Sequence, residues 1–168
     1  HTHARSNTAT QTTARKRQST SESLEAIEQE AFEYERVRLL DAGAYGIVCP
    51  MINTEEDARR LVAAARYATL GGRSFGPTRA NMVHGAAYAR SANEKVLLLA
   101  MIETREALSN LDSILAVEGI DGVYVGPSDL GMSLGFEPTL EPTAPAVRQA
   151  IAHIAARTRA ASRVAGVH

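Results

Sequence analysis

The chain has 168 residues, of which 45% are hydrophobic and 22% charged, and a formal net charge of −1 at pH 7. This length suits one domain with a sizeable core, and the near-neutral charge argues against a nucleic-acid-binding face. A single cysteine, Cys49, excludes an intrachain disulfide and a multi-cysteine zinc site. Because no apolar run reaches the roughly 18 residues that span a bilayer, we expect a cytoplasmic protein without membrane partners.

The beginning of the chain differs in composition from the rest. Residues 1–22 are rich in Thr, Ser, Ala and basic residues, and Glu22 is their first acidic residue. With scarcely any bulky apolar side chain, this stretch cannot bury enough surface to offset its ordering entropy. We predict a disordered or foreign tail over 1–22, followed by one domain over 23–168 whose first helix covers residues 23–40.

Short apolar runs then alternate with helical patterns. Several runs have the continuous apolar character of strands that are buried on both faces, and the run from Arg73 to Gly76 is the weakest of them. The predicted strands are residues 46–49, 73–76, 96–102, 122–125 and 164–167. Strands that alternate with helices imply a parallel sheet covered by helices, which is an α/β fold.

The helices between these strands are predicted from caps and apolar spacing. Thr54 and Asp57 have the spacing of a capping box at the start of one helix. The apolar residues that follow fall on one helical face, namely Ala58, Leu61, Val62 and Ala65. Further helices are predicted over residues 80–91, 104–117 and 146–161.

Two carboxylates follow sequential predicted strands. Glu103 ends the strongest strand, and Asp129 comes shortly after the next one. In parallel α/β folds ligands bind at the carboxyl ends of the strands, so this pair could share Mg²⁺ or Mn²⁺, which prefer oxygen ligands. The alternatives are that Glu103 favours the positive end of the following helix and that Asp129 caps a short helix.

The turn between these two carboxylates is a further candidate. Gly126 and Pro127 end the strand, and the backbone N–H groups that begin at Ser128 could cradle a substrate carboxylate at a helix start. The turn is not a P-loop, because it lacks the Gly-Lys-Ser/Thr ending.

Two charged residues lie elsewhere in the pattern. Asp41 ends a helix, where the dipole disfavours a carboxylate, so either it has a specific partner or it is simply exposed. Arg73 could point into a barrel interior and would then need a carboxylate, with Glu103 or Asp129 as candidates. For Arg73 a structural ion pair is at least as plausible as a contact with substrate.

Four segments, in order and at matching intervals, resemble the HpcH/HpaI aldolase family. They are residues 39–51, 72–77, 101–106 and 122–130. The resemblance implies a (β/α)8 TIM barrel that cleaves 4-hydroxy-2-oxo acids to pyruvate, or a related 2-oxo acid, and an aldehyde through a metal-stabilised enolate. It also implies a homo-oligomer.

The same resemblance suggests roles for individual residues. Glu103 and Asp129 match the two metal ligands, and Ser128, within the Gly126–Asp129 turn, matches the position whose backbone N–H holds the pyruvate carboxylate. Asp41 matches an aspartate that raises the basicity of a catalytic histidine, although that histidine lies on an earlier strand that we do not find here. Arg73 is a weaker catalytic candidate.

The resemblance is incomplete. It runs from about Arg38 to His168, and the five predicted strands correspond to the last five of eight, so we expect a truncated barrel. Met101 also stands where many members carry Gln. Two alternatives stay open: a catalytically inactive fragment or degenerate domain that still binds metal and oxo acid, and an enzyme of the citrate lyase β-subunit and malyl-CoA lyase type.

Overall fold

A computed structural model describes residues 38–168 of the chain. The centre of this part is a four-stranded parallel sheet with the strand order β1-β2-β3-β4. The strands are β1 (Gly46–Cys49), β2 (Leu97–Ile102), β3 (Gly122–Val125) and β4 (Val164–Val167). We call the end at which the strands begin the amino edge and the end at which they finish the carboxyl edge. The predicted tail and most of the helix over 23–40 lie outside the described residues, and residues 38–41 are helical.

Seven helices of the described part accompany the strands. They are α1 (Glu55–Ala65), α2 (Thr78–His84), α3 (Tyr88–Lys95), α4 (Arg105–Ser109), α5 (Leu111–Ala116), α6 (Pro127–Ser133) and α7 (Pro145–Ala160). The predicted capping box is present at α1, because the Thr54 side chain accepts from the Asp57 N–H and the Asp57 carboxylate accepts from the Thr54 N–H. The apolar face predicted for this helix is buried. None of the described helices has the length and apolar character that a bilayer crossing requires.

The strand predicted over 73–76 is wrong. β1 pairs directly with β2, Ile47 opposite Leu98, so the sheet has no place for another strand between them. The segment instead forms a loop in which the Phe75 side chain is exposed. Residues 38–168 therefore contribute four strands rather than the predicted five.

Two predicted helices are each divided in two. The helix over 80–91 is interrupted at Gly85, whose φ of +89° lies in the left-handed region that favours glycine. The helix over 104–117 breaks at Asn110, whose side-chain N–H donates to the Asn53 carbonyl at 2.9 Å. This bond ties the break to the loop after β1.

The two faces of the sheet differ in their surroundings. One face packs against the helices in a continuous apolar core that includes Leu98, Ile102, Val123 and residues such as Leu61 and Ile114. The opposite face, which we call the inner face, carries cross-strand rows fixed by the register. One row consists of Val48, Leu99, Gly122 and Val164, and the next of Met101, Tyr124 and Gly166.

Candidate functional site

Glu103 sits at the carboxyl edge and is almost completely buried, with 4% of its surface exposed. It follows β2 directly, and its Oε1 accepts a hydrogen bond from the Met51 N–H at 2.7 Å. Met51 comes just after β1 and has a φ of +56°, unusual for a residue with a side chain. The loop after β1 therefore aims a main-chain donor at a carboxylate on the next strand, a contact that no sequence pattern indicates.

The second oxygen of Glu103 lies against Gly126, which directly follows the neighbouring strand β3. A Cβ added at Gly126 would lie 2.8 Å from Glu103 Oε2 and 3.0 Å from the Met101 Cε. The backbone at Gly126 has φ −95° and ψ 96°, which any residue can adopt. Glycine is thus needed here for space, because a side chain would push the carboxylate or the methionine aside.

Asp129 lies at the same edge, since α6 follows β3 and β3 pairs in parallel with β2. Gly126, not Asp129, is the N-cap of α6, so the capping interpretation of Asp129 is wrong. The Asp129 side chain is exposed, and within residues 38–168 it makes no hydrogen bond or ion pair. Its carboxylate oxygens are therefore available to a ligand.

The turn from Gly126 to Asp129 leaves main-chain donors available. The first hydrogen bond of α6 runs from the Leu130 N–H to the Gly126 carbonyl. The N–H groups of Ser128 and Asp129 precede it and have no partner within the helix. They are available to donate hydrogen bonds to an anionic group at this edge.

The residues at the carboxyl edge fit a divalent cation that prefers oxygen. Glu103 and Asp129 supply carboxylates from adjacent strand ends. The Glu103 Oε2 atom lies in the space that a side chain at position 126 would otherwise fill. Within the described residues no group of three or more His, Cys, Asp or Glu side chains forms a metal-binding cluster. Mg²⁺ often binds through one or two carboxylates, with water and substrate completing the shell, so a two-carboxylate donor set is sufficient.

Asp41 and Arg73 pair with each other at the amino edge. Arg73 Nη2 donates to Asp41 Oδ1 at 2.5 Å, and Nη1 donates to the Tyr88 hydroxyl at 3.2 Å. The guanidinium also lies over the Tyr67 ring, 4.5 Å from its centroid. Burial alone would lower the pKa of Arg73, but the hydrogen bonds with Asp41 and Tyr88 outweigh it and hold the pKa above its ordinary value.

Glu103 and Asp129 are therefore not the partners of Arg73, contrary to the sequence-based expectation. α1 starts at the carboxyl edge, after β1, and returns the chain to the amino edge, where Arg73 follows it. Asp41 precedes β1, whose four residues span about 13 Å. Within one chain, the structure thus does not bring Asp41 or Arg73 to the carboxylates at the carboxyl edge.

Arg66 is a buried residue that the sequence pattern does not single out. Only 1% of its surface is exposed, and its guanidinium donates to the carbonyls of Asn93, Val96 and Gly119 and to the Asp121 carboxylate, at 2.7 to 3.3 Å. These partners come from the segments that lead into β2 and β3. In the sequence Arg66 resembles an ordinary arginine at the end of α1, and no local pattern distinguishes it.

Comparisons with known proteins agree with this architecture. A sequence profile described as HpcH/HpaI aldolase/citrate lyase matches residues 9–167, and so begins upstream of Arg38. Over 131 residues the chain is 50% identical to the hydroxypyruvate/pyruvate aldolase of Rhizorhabdus wittichii, an alignment that covers 78% of this chain and 52% of that protein. It is 42% identical over 132 residues to the 2-keto-3-deoxy-L-rhamnonate aldolase of Salmonella paratyphi B, covering 77% and 49%.

A solved structure shows the same fold. The crystal structure of an HpcH/HpaI aldolase from Desulfitobacterium hafniense aligns with a TM-score of 0.71 at 32% identity and covers 80% of this chain and 52% of that one. The chain spans about half the length of the curated relatives it matches.

Proposed function

The chain belongs to the HpcH/HpaI aldolase/citrate lyase family, and from that premise we propose that it acts as a metal-dependent aldolase. The proposed reaction cleaves 4-hydroxy-2-oxo acids to pyruvate, or a related 2-oxo acid, and an aldehyde. The observation that carries the proposal is the arrangement at the carboxyl edge, where Glu103 and Asp129 follow adjacent parallel strands and both have oxygens available. Two curated relatives, named as aldolases of hydroxypyruvate/pyruvate and of 2-keto-3-deoxy-L-rhamnonate, support the same class of chemistry.

Each residue at this edge has a distinct part in the proposal. Glu103 and Asp129 would hold Mg²⁺ or Mn²⁺, which when bound supplies the positive charge that stabilises negative charge developing on the substrate. The Met51 N–H fixes the direction of the Glu103 carboxylate. The Ser128 N–H would bind the substrate carboxylate, and Met101 provides an apolar wall beside Gly126.

We assign no proton transfer to Asp41 in this proposal. The match of Asp41 to an aspartate that acts on a histidine base stays a prediction. In this structure the partner of its carboxylate is Arg73, at the amino edge. The pairing gives both residues a structural role within the described part of the chain.

The cation site can be tested by calorimetry with Mg²⁺ and oxalate, a small dicarboxylate that resembles the enolate of pyruvate. We expect the wild type to bind oxalate in the presence of Mg²⁺ and Asp129→Ala to lose this binding. Because the Asp129 side chain is exposed, the free energy of unfolding should change by less than about 0.5 kcal/mol. Equal heats for both proteins would contradict the site.

A second variant tests the cradle around Glu103. Gly126→Ala should weaken oxalate binding about tenfold, or about 1.4 kcal/mol, because the new Cβ meets the Glu103 carboxylate. Gly76→Ala is the matched control, since an added Cβ there meets no described atom within 4 Å. If both variants bind as the wild type does, Gly126 does not shape the site.

Catalysis requires a separate measurement. Pyruvate released from a 4-hydroxy-2-oxo acid can be followed with lactate dehydrogenase and NADH, with and without Mg²⁺. Metal-dependent release would exclude the inactive alternative, whereas oxalate binding without release would favour a domain that binds metal and oxo acid but does not turn over.

A further inference from the structure

A histidine occupies the same edge and the same face as the candidate metal ligands. His168 follows β4 directly, and its N–H donates to the Val125 carbonyl at 3.2 Å, which extends the ladder of β3 and β4 by one residue. The backbone of His168 therefore lies beside Gly126 at the carboxyl edge.

The register places three residues in one row across the inner face. Met101, Tyr124 and Gly166 are paired across β2, β3 and β4. Because side chains alternate between faces along a strand, the residues two positions further along form the next row on the same face. That row consists of Glu103, Gly126 and His168.

Gly126 lets the Glu103 carboxylate lie over the middle of this row, because a Cβ at Gly126 would come within 2.8 Å of Glu103 Oε2. Adjacent strands are about 4.8 Å apart, so the backbones of Glu103 and His168 are separated by about 10 Å. The Glu103 carboxylate and the His168 imidazole thus belong to one row, and the residue between their strands has no side chain to separate them. A small oxo acid held by the Ser128 N–H at this edge would lie close to both groups.

Tyr124 contacts the His168 ring. The Tyr124 hydroxyl lies 3.4 Å from His168 Nδ1, and the two rings meet edge to face with centroids 6.5 Å apart. Gly166 allows this arrangement, because a Cβ there would come within 2.8 Å of the Tyr124 ring. When the phenol donates to Nδ1, the neutral imidazole carries its proton on Nε2 and presents a hydrogen-bond donor.

We propose that His168, positioned by Tyr124, donates a hydrogen bond to the oxygen on C4 of the bound 4-hydroxy-2-oxo acid. The inference rests on the proposed function and adds a contact with the half of the substrate that leaves as the aldehyde. The carboxylate and the 2-oxo group are held on the other side of Gly126, by Ser128 and the Glu103–Asp129 pair. His168 thereby contributes to the choice of substrate rather than to binding of the metal.

Two probes that an aldolase cannot cleave test this contact in the presence of Mg²⁺. 2,4-Dioxopentanoate has an acceptor oxygen on C4, and 2-oxopentanoate lacks it. We expect the wild type to bind the first probe about 3 to 10 times more tightly, the contribution of one neutral hydrogen bond. His168→Ala should lose this preference and keep its affinity for 2-oxopentanoate, and His168→Gln, which retains a donor, should recover part of it.

The controls separate this inference from the function it rests on. Tyr124→Phe should reduce the preference less than His168→Ala, because it removes only the group that directs the ring. A preference that survives in His168→Ala would overturn the contact while leaving the metal site standing. Failure of the wild type to bind either probe or oxalate would overturn both.

Discussion

At the amino edge of the sheet the cationic side chains are buried among partners, whereas at the carboxyl edge the carboxylates keep oxygens available. Arg66 donates to three carbonyls and a carboxylate, and Arg73 is bound by Asp41 and Tyr88. Glu103 accepts one hydrogen bond and Asp129, among the described residues, none. The two guanidinium groups use most of their N–H donors to join distant segments, although Arg73 Nε has no hydrogen-bond partner among the described residues. The carboxylate oxygens at the other edge have capacity left to bind a ligand. We conclude that the amino edge stabilises this fold, and our proposal assigns the chemistry to the carboxyl edge.

The largest expected effect lies at the amino edge. Arg66→Ala should lower the free energy of unfolding by about 3–5 kcal/mol, because it leaves buried carbonyls and the Asp121 carboxylate without their donor. Urea unfolding measures the loss. Arg59→Ala is the control: Arg59 pairs with Glu55 on the exposed surface of α1, and its removal should cost less than about 0.5 kcal/mol. Similar losses for the two variants would mean that the buried contacts of Arg66 stabilise the fold no more than a surface ion pair does.

A smaller loss is expected at the second buried cation, and it tests the comparison directly. Arg73→Met should lower the free energy of unfolding by about 2–4 kcal/mol, because the Asp41 carboxylate then loses its ion pair. Oxalate affinity with Mg²⁺, measured by calorimetry, should stay within about twofold of the wild type. Arg79→Met, at an exposed position on α2, controls for the change in charge. Loss of oxalate binding in Arg73→Met alone would mean that the amino edge takes part in the site.

The smallest effect concerns the capping box of α1 and its dependence on pH. Burial alone would raise the pKa of Asp57, but hydrogen bonds from Thr54 and Asn53 and the charge of Arg60 outweigh it and lower the pKa below its ordinary value of 3.8. A lowered pKa means that the stabilisation is present above pH 3.8 and is lost as the pH falls through the folded-state value. Asp57→Ala should therefore cost about 0.5–2 kcal/mol at pH 7 and progressively less below about pH 4.

The matched control for this series is Glu56→Ala, an exposed acid in the same helical turn. Its effect on the free energy of unfolding should stay within about 0.5 kcal/mol throughout the pH series. A cost of Asp57→Ala that does not decline in acid would show that the capping box is not held by the ionised carboxylate.

The sequence predicted well those features that depend on local pattern. The apolar runs at residues 46–49, 122–125 and 164–167 are strands, and the spacing of Thr54 and Asp57 marked the start of α1. The prediction that Glu103 and Asp129 share an edge followed from their places after sequential strands. Each of these rests on neighbours within a few residues or on a general rule of parallel sheets.

Features that depend on how distant segments meet were not predictable in this way. The apolar pattern near Arg73 did not show that β1 pairs directly with β2, and Arg73 therefore received the wrong partner. The break at Asn110 depends on a bond to Asn53, 57 residues away in sequence. The row that joins Glu103 to His168 becomes visible only once the register of three strands is known.

The bond between Met51 and Glu103 has a practical consequence for engineering. The main-chain N–H of Met51 orients the Glu103 carboxylate, so the exposed side chain at position 51 is not needed for that orientation. A saturation library at residue 51 could therefore vary the exposed surface near Glu103 while the carboxylate keeps its orientation. Glycine is the member of such a library that most relaxes the backbone, since it adopts a positive φ without cost.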